Sequence, residues 1–289
     1  MKRVDILAAM ITVIAWGSNY VAISYAVSEM PGFLSIGIRL LITSLCLAPF
    51  VPIPKIKFKD LYFVSTVFGG YLGLLYYGLH LGINTSLTII LMQLNIPVSI
   101  IIARFMLDEK FTTLSIAGVG IAFMGAMVVV GSPAISGNAQ ALFSILSASV
   151  LCALFNVKSR QFNHIPPMSL VCWTSLIAAP QILIASFLLD GNPIFFLKET
   201  THFSWIATAY SVAIASFLCQ GLWIYLLQKY PLYQILPYNL LVPFVGISFS
   251  MMYLGDLPSW HVILGGVLTI SGVAVSQVRH MPFFRNKKL

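Results

Sequence analysis

Charged side chains are scarce in this sequence. They make up 8% of the 289 residues, whereas 59% of the residues are hydrophobic. Soluble globular domains carry charge on roughly a quarter of their residues. The composition therefore excludes an ordinary soluble domain and indicates an integral membrane protein.

Carboxylates are missing from the middle of the apolar runs. The chain has eight Asp and Glu residues, and none of them lies near the centre of a run. An intramembrane enzyme needs a nucleophile with a base, a carboxylate pair or a metal cluster, and the five His residues have no ligand spacing. We therefore expect no enzymatic activity, no catalytic residues, no metal site and no cofactor.

Cysteine is also rare, and its placement excludes a disulfide framework. All four cysteines fall inside apolar runs, and none belongs to a CxxC pair. We interpret them as packing residues. They are Cys46, Cys152, Cys172 and Cys219.

Ten apolar runs fill most of the chain, and each is long enough to cross the hydrocarbon layer as a helix of about 20 residues. The first run continues past Trp16 and Asn19 without a cleavage pattern, so we expect a retained helix and not a signal peptide. The predicted fold class is an all-α membrane protein with ten transmembrane helices. The predicted spans cover approximately residues 4–26, 31–50, 60–81, 85–107, 113–131, 139–158, 168–189, 204–227, 231–254 and 260–278.

The basic residues lie on one side of these spans. Of the 16 Lys and Arg residues, all except Arg39 and Lys198 lie at the termini or in the second, fourth, sixth and eighth connections. The positive-inside rule makes that side cytoplasmic, so we expect a multi-pass protein of the bacterial inner membrane with both termini inside. Because the charge is spread over five short segments, it does not form a nucleic-acid-binding surface.

The two halves of the sequence match at an offset of 147 residues. Leu107, Glu109, Gly118, Gly125 and Val128 align with Leu254, Asp256, Gly265, Gly272 and Val275, and Pro97 is one residue out of step with Pro243. Five spans per half invert the second half relative to the first. We expect two inverted repeats, residues 1–133 and 134–289, with a substrate site between them near the midplane.

Small residues in spans five and ten predict close helix packing. The segments AGVGIAFMGAM and GGVLTISGVAV space small residues so that two backbones can approach each other. We expect these two spans to act as a scaffold.

Uncharged polar side chains fall at mid-depth, where contact with lipid is costly. Each of them either bonds a neighbouring helix or contacts a substrate. Gln93 and Asn95 are two residues apart, so on a continuous helix they point about 200° apart and cannot both face one cavity. We expect one to line a path and the other to bond a neighbouring helix. The mid-depth set is Ser18, Asn19, Gln93, Asn95, Asn156, Gln220 and Asn239.

Deep aromatic residues accompany this polar set and could form an amphipathic cavity wall or simply pack in the core. Tyr76 is one of these aromatics. The predicted substrate-binding residues are Trp16, Asn19, Tyr77, Gln93, Asn95, Gln220, Trp223, Tyr238 and Asn239.

Arg39 is the one basic residue well inside a predicted span. It could attract a substrate carboxylate, or it could cap carbonyls of neighbouring helices. Pro97, Pro180, Pro237 and Pro243 interrupt apolar runs. We predict that Pro97 and Pro243, in corresponding places of the two halves, allow helices to bend and gate a path, although local bending without function is the alternative.

These same segments resemble a known family. The segments AWGSNYVAI with IRLLI, LMQLNIPVSIIIARFMLDEKFTTLSIAGVGIAFMGAMVV, and LLVPFVGISFSMMYLGD with GGVLTISGVAV resemble the two EamA domains of the drug/metabolite transporter superfamily. The resemblance covers the whole chain. It is nearest to bacterial amino-acid-metabolite exporters of the O-acetylserine and cysteine type, through MSLVCWTSLIAAP, ASFLLDG, Gly221 with Trp223, and LLVP.

The resemblance implies a ten-helix bundle with a central cavity lined by spans one, three, four, six, eight and nine, and with spans five and ten at the periphery. Two departures are visible. Asp108 stands where the family has Gly, and GDLP replaces a Gly-Glu-Arg segment, which leaves Asp256 without its usual basic partner and its structural role in doubt. The residues that match family motifs are Trp16, Gly17, Asn19, Arg39, Gln93, Asn95, Glu109 and Asn239.

The sequence thus predicts a secondary transporter that exports amino acids or cysteine-pathway intermediates by alternating access. Without a mid-span carboxylate, we expect facilitated diffusion or coupling through the substrate's own proton. The expected partners are a small-molecule substrate and the lipid bilayer, with no nucleic acid, in a monomer or homodimer. The alternatives are a carrier of a drug, nucleoside or cofactor precursor, including an importer, or a receptor, which the short connection 190–203 disfavours.

Overall fold

The computed structural model describes residues 1–106, 113–131, 138–230 and 232–277, and the regular secondary structure in these ranges is helical. The predicted loop that holds Asp108 and Glu109 lies outside the described residues. The helices are α1 (Arg3–Val27), α2 (Gly32–Leu47), α3 (Phe58–His80), α4 (Thr85–Met92), α5 (Asn95–Met106), α6 (Thr113–Val130), α7 (Ala139–Gln161), α8 (Pro167–Leu189), α9 (Pro193–Glu199), α10 (His202–Tyr210), α11 (Gly221–Lys229), α12 (Leu232–Asn239), α13 (Val242–Leu254) and α14 (Trp260–Gln277).

Apart from α9, these helices overlap the predicted apolar runs, and some runs contain more than one helix. A 3₁₀ turn, Ala48–Phe50, follows α2, and a π-helix, Ser211–Gln220, joins α10 to α11. In the described ranges, six helical stretches are long and apolar enough to cross a membrane, and shorter apolar helices accompany them. The connection 190–203 contains the short helix α9, which the sequence did not predict.

Two helical stretches are interrupted close to a proline. One break separates α4 from α5 before Pro97, and the other separates α12 from α13 before Pro243. Proline has no N–H to donate to the carbonyl four residues earlier, so the regular ladder cannot continue there. At the breaks the backbone makes three-residue bonds instead, from Ile96 N to Gln93 O and from Leu241 N to Tyr238 O, both 3.0 Å. By contrast, α8 continues through Pro180.

The helix boundaries repeat along the chain. Adding 147 residues to the limits of α4 and α6 gives the limits of α12 and α14. The interruption in the first half therefore has a counterpart at the corresponding position in the second half.

Helices α6 and α14 pack backbone against backbone through glycine, which confirms the predicted close approach. A Cβ atom added to Gly125 would lie 2.5 Å from Thr269 N and 2.6 Å from Gly265 O. No side chain fits in this interval, because Cβ atoms are essentially never found within 3.0 Å of another heavy atom. The contact lets main-chain atoms of the two helices approach as closely as membrane helices do at small residues.

Asp256 has a clear structural partner despite its missing basic neighbour. Its carboxylate accepts hydrogen bonds from Thr85 N (3.1 Å) and from Ser250 Oγ (3.0 Å). Thr85 is the first residue of α4, where backbone N–H groups lack helical acceptors. A residue of the second half thus caps a helix of the first half.

Both ends of α1 are bonded to the second half of the chain. At one end, which we call the Asp5 cluster, buried Asp5 accepts bonds from Lys229 Nζ (3.0 Å), Tyr225 OH (3.0 Å) and Tyr230 OH (2.6 Å).

At the other end of α1, which we call the Glu29 cluster, Tyr25 OH donates to Tyr253 O (2.6 Å). Glu29 there accepts bonds from Thr201 N (2.8 Å) and Thr201 Oγ1 (2.9 Å). Helix α1 therefore bridges the two halves at both ends.

We predict that Gly125→Ala destabilises the protein, because the new methyl group meets Thr269 N and Gly265 O, and these backbone atoms of α14 can move only with the whole helix. The expected loss is about 1–3 kcal/mol, typical of overpacking, and it is measured as a lower midpoint of thermal unfolding in detergent. Gly120→Ala on the same helix is the matched control, since nothing lies within 4 Å of its added Cβ. Equal midpoints for the two variants would contradict the close packing of α6 and α14.

Candidate functional site

An internal cavity of about 80 Å³ lies where α1, α3, the broken helix α4–α5, α7, the π-helix with α11, and the broken helix α12–α13 meet. This volume accommodates several water molecules. The helices that surround it match the spans that the family resemblance implies, with the addition of α2 through Arg39. The lining residues are Trp16, Asn19, Tyr20, Ile23, Arg39, Tyr71, Leu72, Leu75, Met92, Gln93, Asn95, Cys152, Phe155, Asn156, Gln220, Trp223, Asn239 and Val242.

The structure brings most of the predicted site residues together at this cavity. Arg39 is among them. The predicted residues that line it are Trp16, Asn19, Gln93, Asn95, Gln220, Trp223 and Asn239.

Two predicted residues lie elsewhere, which corrects the expectation that they line the cavity. Tyr77 stacks on Phe33, with ring centroids 4.9 Å apart, and its hydroxyl accepts a bond from Gln140 Nε2 (2.7 Å). Tyr238 packs in an apolar cluster with Trp223 and is not in the cavity wall. Both tyrosines are used for helix packing.

Several wall residues were not predicted as binding residues. Tyr20 is four residues after Trp16 on α1, and Cys152 is four residues before Asn156 on α7, so each pair shares a helix face. This spacing is the signal that could have found them. Cys152 is therefore a cavity residue and not only a packing residue. Tyr71 and Phe155 complete the aromatic part of the wall.

Gln93 and Asn95 both line the cavity, so the expectation that they point to different places is wrong. That expectation assumed a continuous helix, whereas the chain is interrupted between α4 and α5. Because Ile96 N donates to Gln93 O, the carbonyl of Met92 accepts from Asn95 Nδ2 instead. Asn95 thus stabilises the break itself and does not bond a neighbouring helix through this group.

Three residues of the cavity wall each have a buried side-chain carbonyl oxygen without a hydrogen-bond partner in the described part of the chain. These oxygens are Gln93 Oε1, Asn95 Oδ1 and Asn239 Oδ1. Two other wall amides, Asn19 and Asn156, are paired. Asn19 Oδ1 accepts from Ser211 Oγ (2.7 Å), and Asn156 Oδ1 accepts from Trp223 Nε1 (3.1 Å). The unpaired acceptors belong to residues at or beside the two helix interruptions.

Arg39 is a buried cation with 5% of its surface exposed, and its hydrogen-bond partners among the described residues are uncharged. Its Nε donates to Ser216 Oγ (3.0 Å), and its Nη1 donates to Tyr76 OH (2.8 Å). The guanidinium carbon also lies 5.9 Å from the centre of the Tyr76 ring. No carboxylate among the described residues forms an ion pair with it. The alternative that Arg39 caps backbone carbonyls is not what these contacts show.

The π-helix presents two serines to the cavity region. Its backbone bonds join residues five apart, so Ser211 and Ser216 lie about one turn apart on the same face. Ser211 bonds Asn19 and Ser216 bonds Arg39. In a regular α-helix, residues five apart would point in different directions. The wider winding of the π-helix therefore lets one helix bond both Asn19 and Arg39 of the cavity wall.

Comparisons with known proteins agree with the architecture. Residues 4–131 and 139–277 match the EamA-like transporter family. The chain is 28% identical over 290 residues to a probable amino-acid metabolite efflux pump of Salmonella typhimurium. The alignment covers 96% of this chain and 95% of that protein. A probable amino-acid metabolite efflux pump of Escherichia coli is 26% identical over 286 residues, with the same coverage.

A more distant relative and a solved structure extend this similarity. An uncharacterized transporter of Bacillus subtilis is 24% identical over 283 residues, covering 93% of this chain and 96% of that protein. One solved crystal structure aligns with a TM-score of 0.68 at 14% identity, covering 96% of this chain and 98% of that one. At this identity the likeness shows the fold alone.

We predict that Cys152 is accessible from the cavity and that Cys172 is not. In proteins that retain a single cysteine, a small water-soluble methanethiosulfonate should label Cys152 at least about tenfold faster than Cys172, since Cys172 is fully buried and faces Ser44 O instead of the cavity. Mass spectrometry of the labelled protein gives both rates. Equal rates would show that water does not reach the cavity.

Proposed function

The chain belongs to the EamA-like transporter family, and from that premise we propose that it is a secondary transporter that binds small metabolites in the central cavity and carries them across the membrane by alternating access. Its family makes it a multi-pass membrane transporter and not an enzyme. The observation that carries the proposal is the convergence of wall residues from both halves on one buried cavity.

We propose that ten spans cross the membrane as two inverted repeats, residues 1–133 and 134–289. The shared boundaries of α4 with α12 and of α6 with α14 support this arrangement. So does the position of both helix interruptions at the cavity, since transporters built from inverted repeats bind substrate between discontinuous helices. We propose that Pro97 and Pro243 mark the points where these helices bend during opening.

For the substrate we propose amino acids or cysteine-pathway intermediates, moved outward. The relatives in Salmonella typhimurium and Escherichia coli are described as probable amino-acid metabolite efflux pumps. A wall that combines aromatic rings, amides and one cation suits a small solute with polar and apolar parts. The alternative substrate is another organic solute, such as a drug, nucleoside or cofactor precursor, including one that is imported. A receptor without transport is the weaker alternative.

The two clusters at the ends of α1 are the proposed gates. The cavity of about 80 Å³ is smaller than the roughly 300–1,000 Å³ of typical ligand pockets, so it has to widen before a metabolite can bind. We propose that the Asp5 cluster breaks to open the cavity toward one side, and that the Glu29 cluster breaks to open it toward the other. We propose that the Asp5 cluster lies at the cytoplasmic face of the bacterial inner membrane, with both termini inside, as the positive-inside rule predicts.

We propose that transport does not depend on a protonated protein carboxylate. No Asp or Glu is among the described residues of the cavity wall. Facilitated diffusion, or coupling through the substrate's own proton, is consistent with this wall. Strong driving by a proton gradient that is lost when one Asp or Glu is neutralised would rule the proposal out.

We predict that Gln93→Ala and Asn239→Ala each slow transport about tenfold, because each removes an amide from the cavity wall. The measurement is the loss of preloaded radiolabelled cysteine or O-acetylserine from proteoliposomes. The control is Gln140→Ala, since Gln140 bonds Tyr77 outside the cavity. Normal transport by both cavity variants would mean that the substrate passes elsewhere.

We predict that Asp5→Asn opens the cavity toward the side of the amino terminus. The change removes the charge that attracts Lys229 and weakens the Asp5 cluster. In a protein that retains only Cys152, a membrane-impermeant thiol reagent added on that side should label Cys152 several-fold faster. Asp60→Asn, a change of the same kind at an exposed carboxylate near the same end, should leave the rate unaltered. A gating role for the Asp5 cluster is untenable if the two variants label alike.

A further inference from the structure

The first observation concerns the charge of Arg39. A charged group that is buried and unpaired is strongly unfavourable, and proteins rarely keep one inside a membrane without a partner. The contacts of Arg39 with Ser216 and Tyr76 hold its guanidinium in place but add no negative charge. Because Arg39 is part of the cavity wall, a bound molecule can supply the missing counter-charge.

The geometry of the Arg39 guanidinium limits which kind of anion can bind it. Arginine has five N–H donors in a planar fork, and the contacts to Ser216 and Tyr76 use one at Nε and one at Nη1. The remaining donors suit a carboxylate, which accepts two parallel bonds from such a fork. The two contacts leave one N–H on Nη1 and both N–H groups on Nη2 for a ligand.

The second observation concerns the opposite kind of group. Gln93 Oε1, Asn95 Oδ1 and Asn239 Oδ1 are acceptors without donors in the described structure. Among the described residues, the other buried side-chain atoms without a partner are seven hydroxyl oxygens and the Nε2 of Gln181. The three amide oxygens differ from them because all three belong to residues of the cavity wall, and an amide oxygen can only accept. A primary ammonium group has three N–H donors and no acceptor. It can therefore donate hydrogen bonds to these amide oxygens, which would repel an anion.

The two kinds of group are carried by different parts of the fold. Arg39 belongs to α2 and is held by α3 and the π-helix, whereas the unpaired amides lie at the interruptions of α4–α5 and α12–α13. Aromatic rings form another part of the wall, including Trp16 and Trp223, whose ring centroids are 5.1 Å apart. The cavity therefore has a cationic region, an acceptor region and an apolar region.

We propose that the substrate is a zwitterion that carries both a carboxylate and a primary ammonium group, with its carboxylate on the Arg39 guanidinium and its ammonium among the carbonyl oxygens of Gln93, Asn95 and Asn239. The proposal rests on the function proposed above and adds the chemical class and orientation of the substrate. It makes α-amino acids better ligands than amines or carboxylic acids of the same size.

The test compares each amino acid with two analogues that each lack one charged group. Binding of the standard amino acids and O-acetylserine to the purified protein is measured by thermal shift. The tightest ligand is then compared with its carboxamide, which keeps only the ammonium, and with its deaminated acid, which keeps only the carboxylate. For the wild-type protein we expect each analogue to bind at least about tenfold more weakly, since one charge-assisted interaction is lost.

Two variants should separate the two regions. In Arg39→Gln the preference for the amino acid over its carboxamide should fall to about onefold, while the preference over the deaminated acid remains. In Asn239→Leu the preference over the deaminated acid should shrink, while the preference over the carboxamide remains. Arg39→Lys keeps the positive charge and should restore part of the carboxylate preference, which separates loss of charge from loss of folding.

Several outcomes would overturn the assignment. If the wild-type protein binds the carboxamide as tightly as the amino acid, or if Arg39→Gln keeps the carboxylate preference, Arg39 does not hold the carboxylate. If Na⁺ alone stabilises the wild-type protein but not Asn239→Leu, the amide oxygens hold a metal ion and not an ammonium. If neutral solutes are transported and amino acids are not bound, the zwitterion is wrong while transport stands. If proteoliposomes transport no solute, the proposed function itself fails.

Discussion

The need to satisfy backbone hydrogen bonds away from water governs the centre of this molecule. In a membrane, an irregular stretch of chain is tolerated only where protein or a water-filled cavity surrounds it. Pro97 and Pro243 each remove one backbone donor, and the helices break beside them. Both breaks lie at the cavity, where Asn95 Nδ2 donates a hydrogen bond to the carbonyl of Met92. The wall residues with unpaired amide oxygens lie at or beside these breaks.

The buried charged residues are subject to the same requirement, that a polar group away from water needs a partner. Asp5 and Lys229 are paired at one end of α1 and bonded further by tyrosines, so that pair is satisfied within the protein. Among the described residues, the hydrogen-bond acceptors of Arg39 are hydroxyl groups, although Arg39 is about as buried as Asp5. The charges of Asp5 and Lys229 therefore join two parts of the fold, whereas the charge of Arg39 is the one that we propose a ligand neutralises.

Much of the fold was predictable, because hydropathy alone sets the length and position of membrane helices. The small residues of α6 and α14 also predicted their own contact. The helix interruption was harder to use. Pro97 indicated that the helix would be interrupted. The orientation of Gln93 and Asn95 depends on the backbone conformation at the interruption, which a helical periodicity does not predict. The π-helix is hidden for the same reason, since Ser211 and Ser216 align only once the winding is known. Tyr77 and Tyr238 were misplaced because an aromatic residue at mid-depth serves packing as readily as a cavity wall.

The glycine contact between α6 and α14 shares no residue with the described cavity wall. The part of the chain that joins the two helices and the part that meets the solute are therefore separately encoded. Replacements in the wall leave the contact between α6 and α14 unchanged, whereas a side chain at position 125 would meet the backbone of α14. Such a division lets one scaffold diversify its cargo over evolutionary time while its framework stays constant.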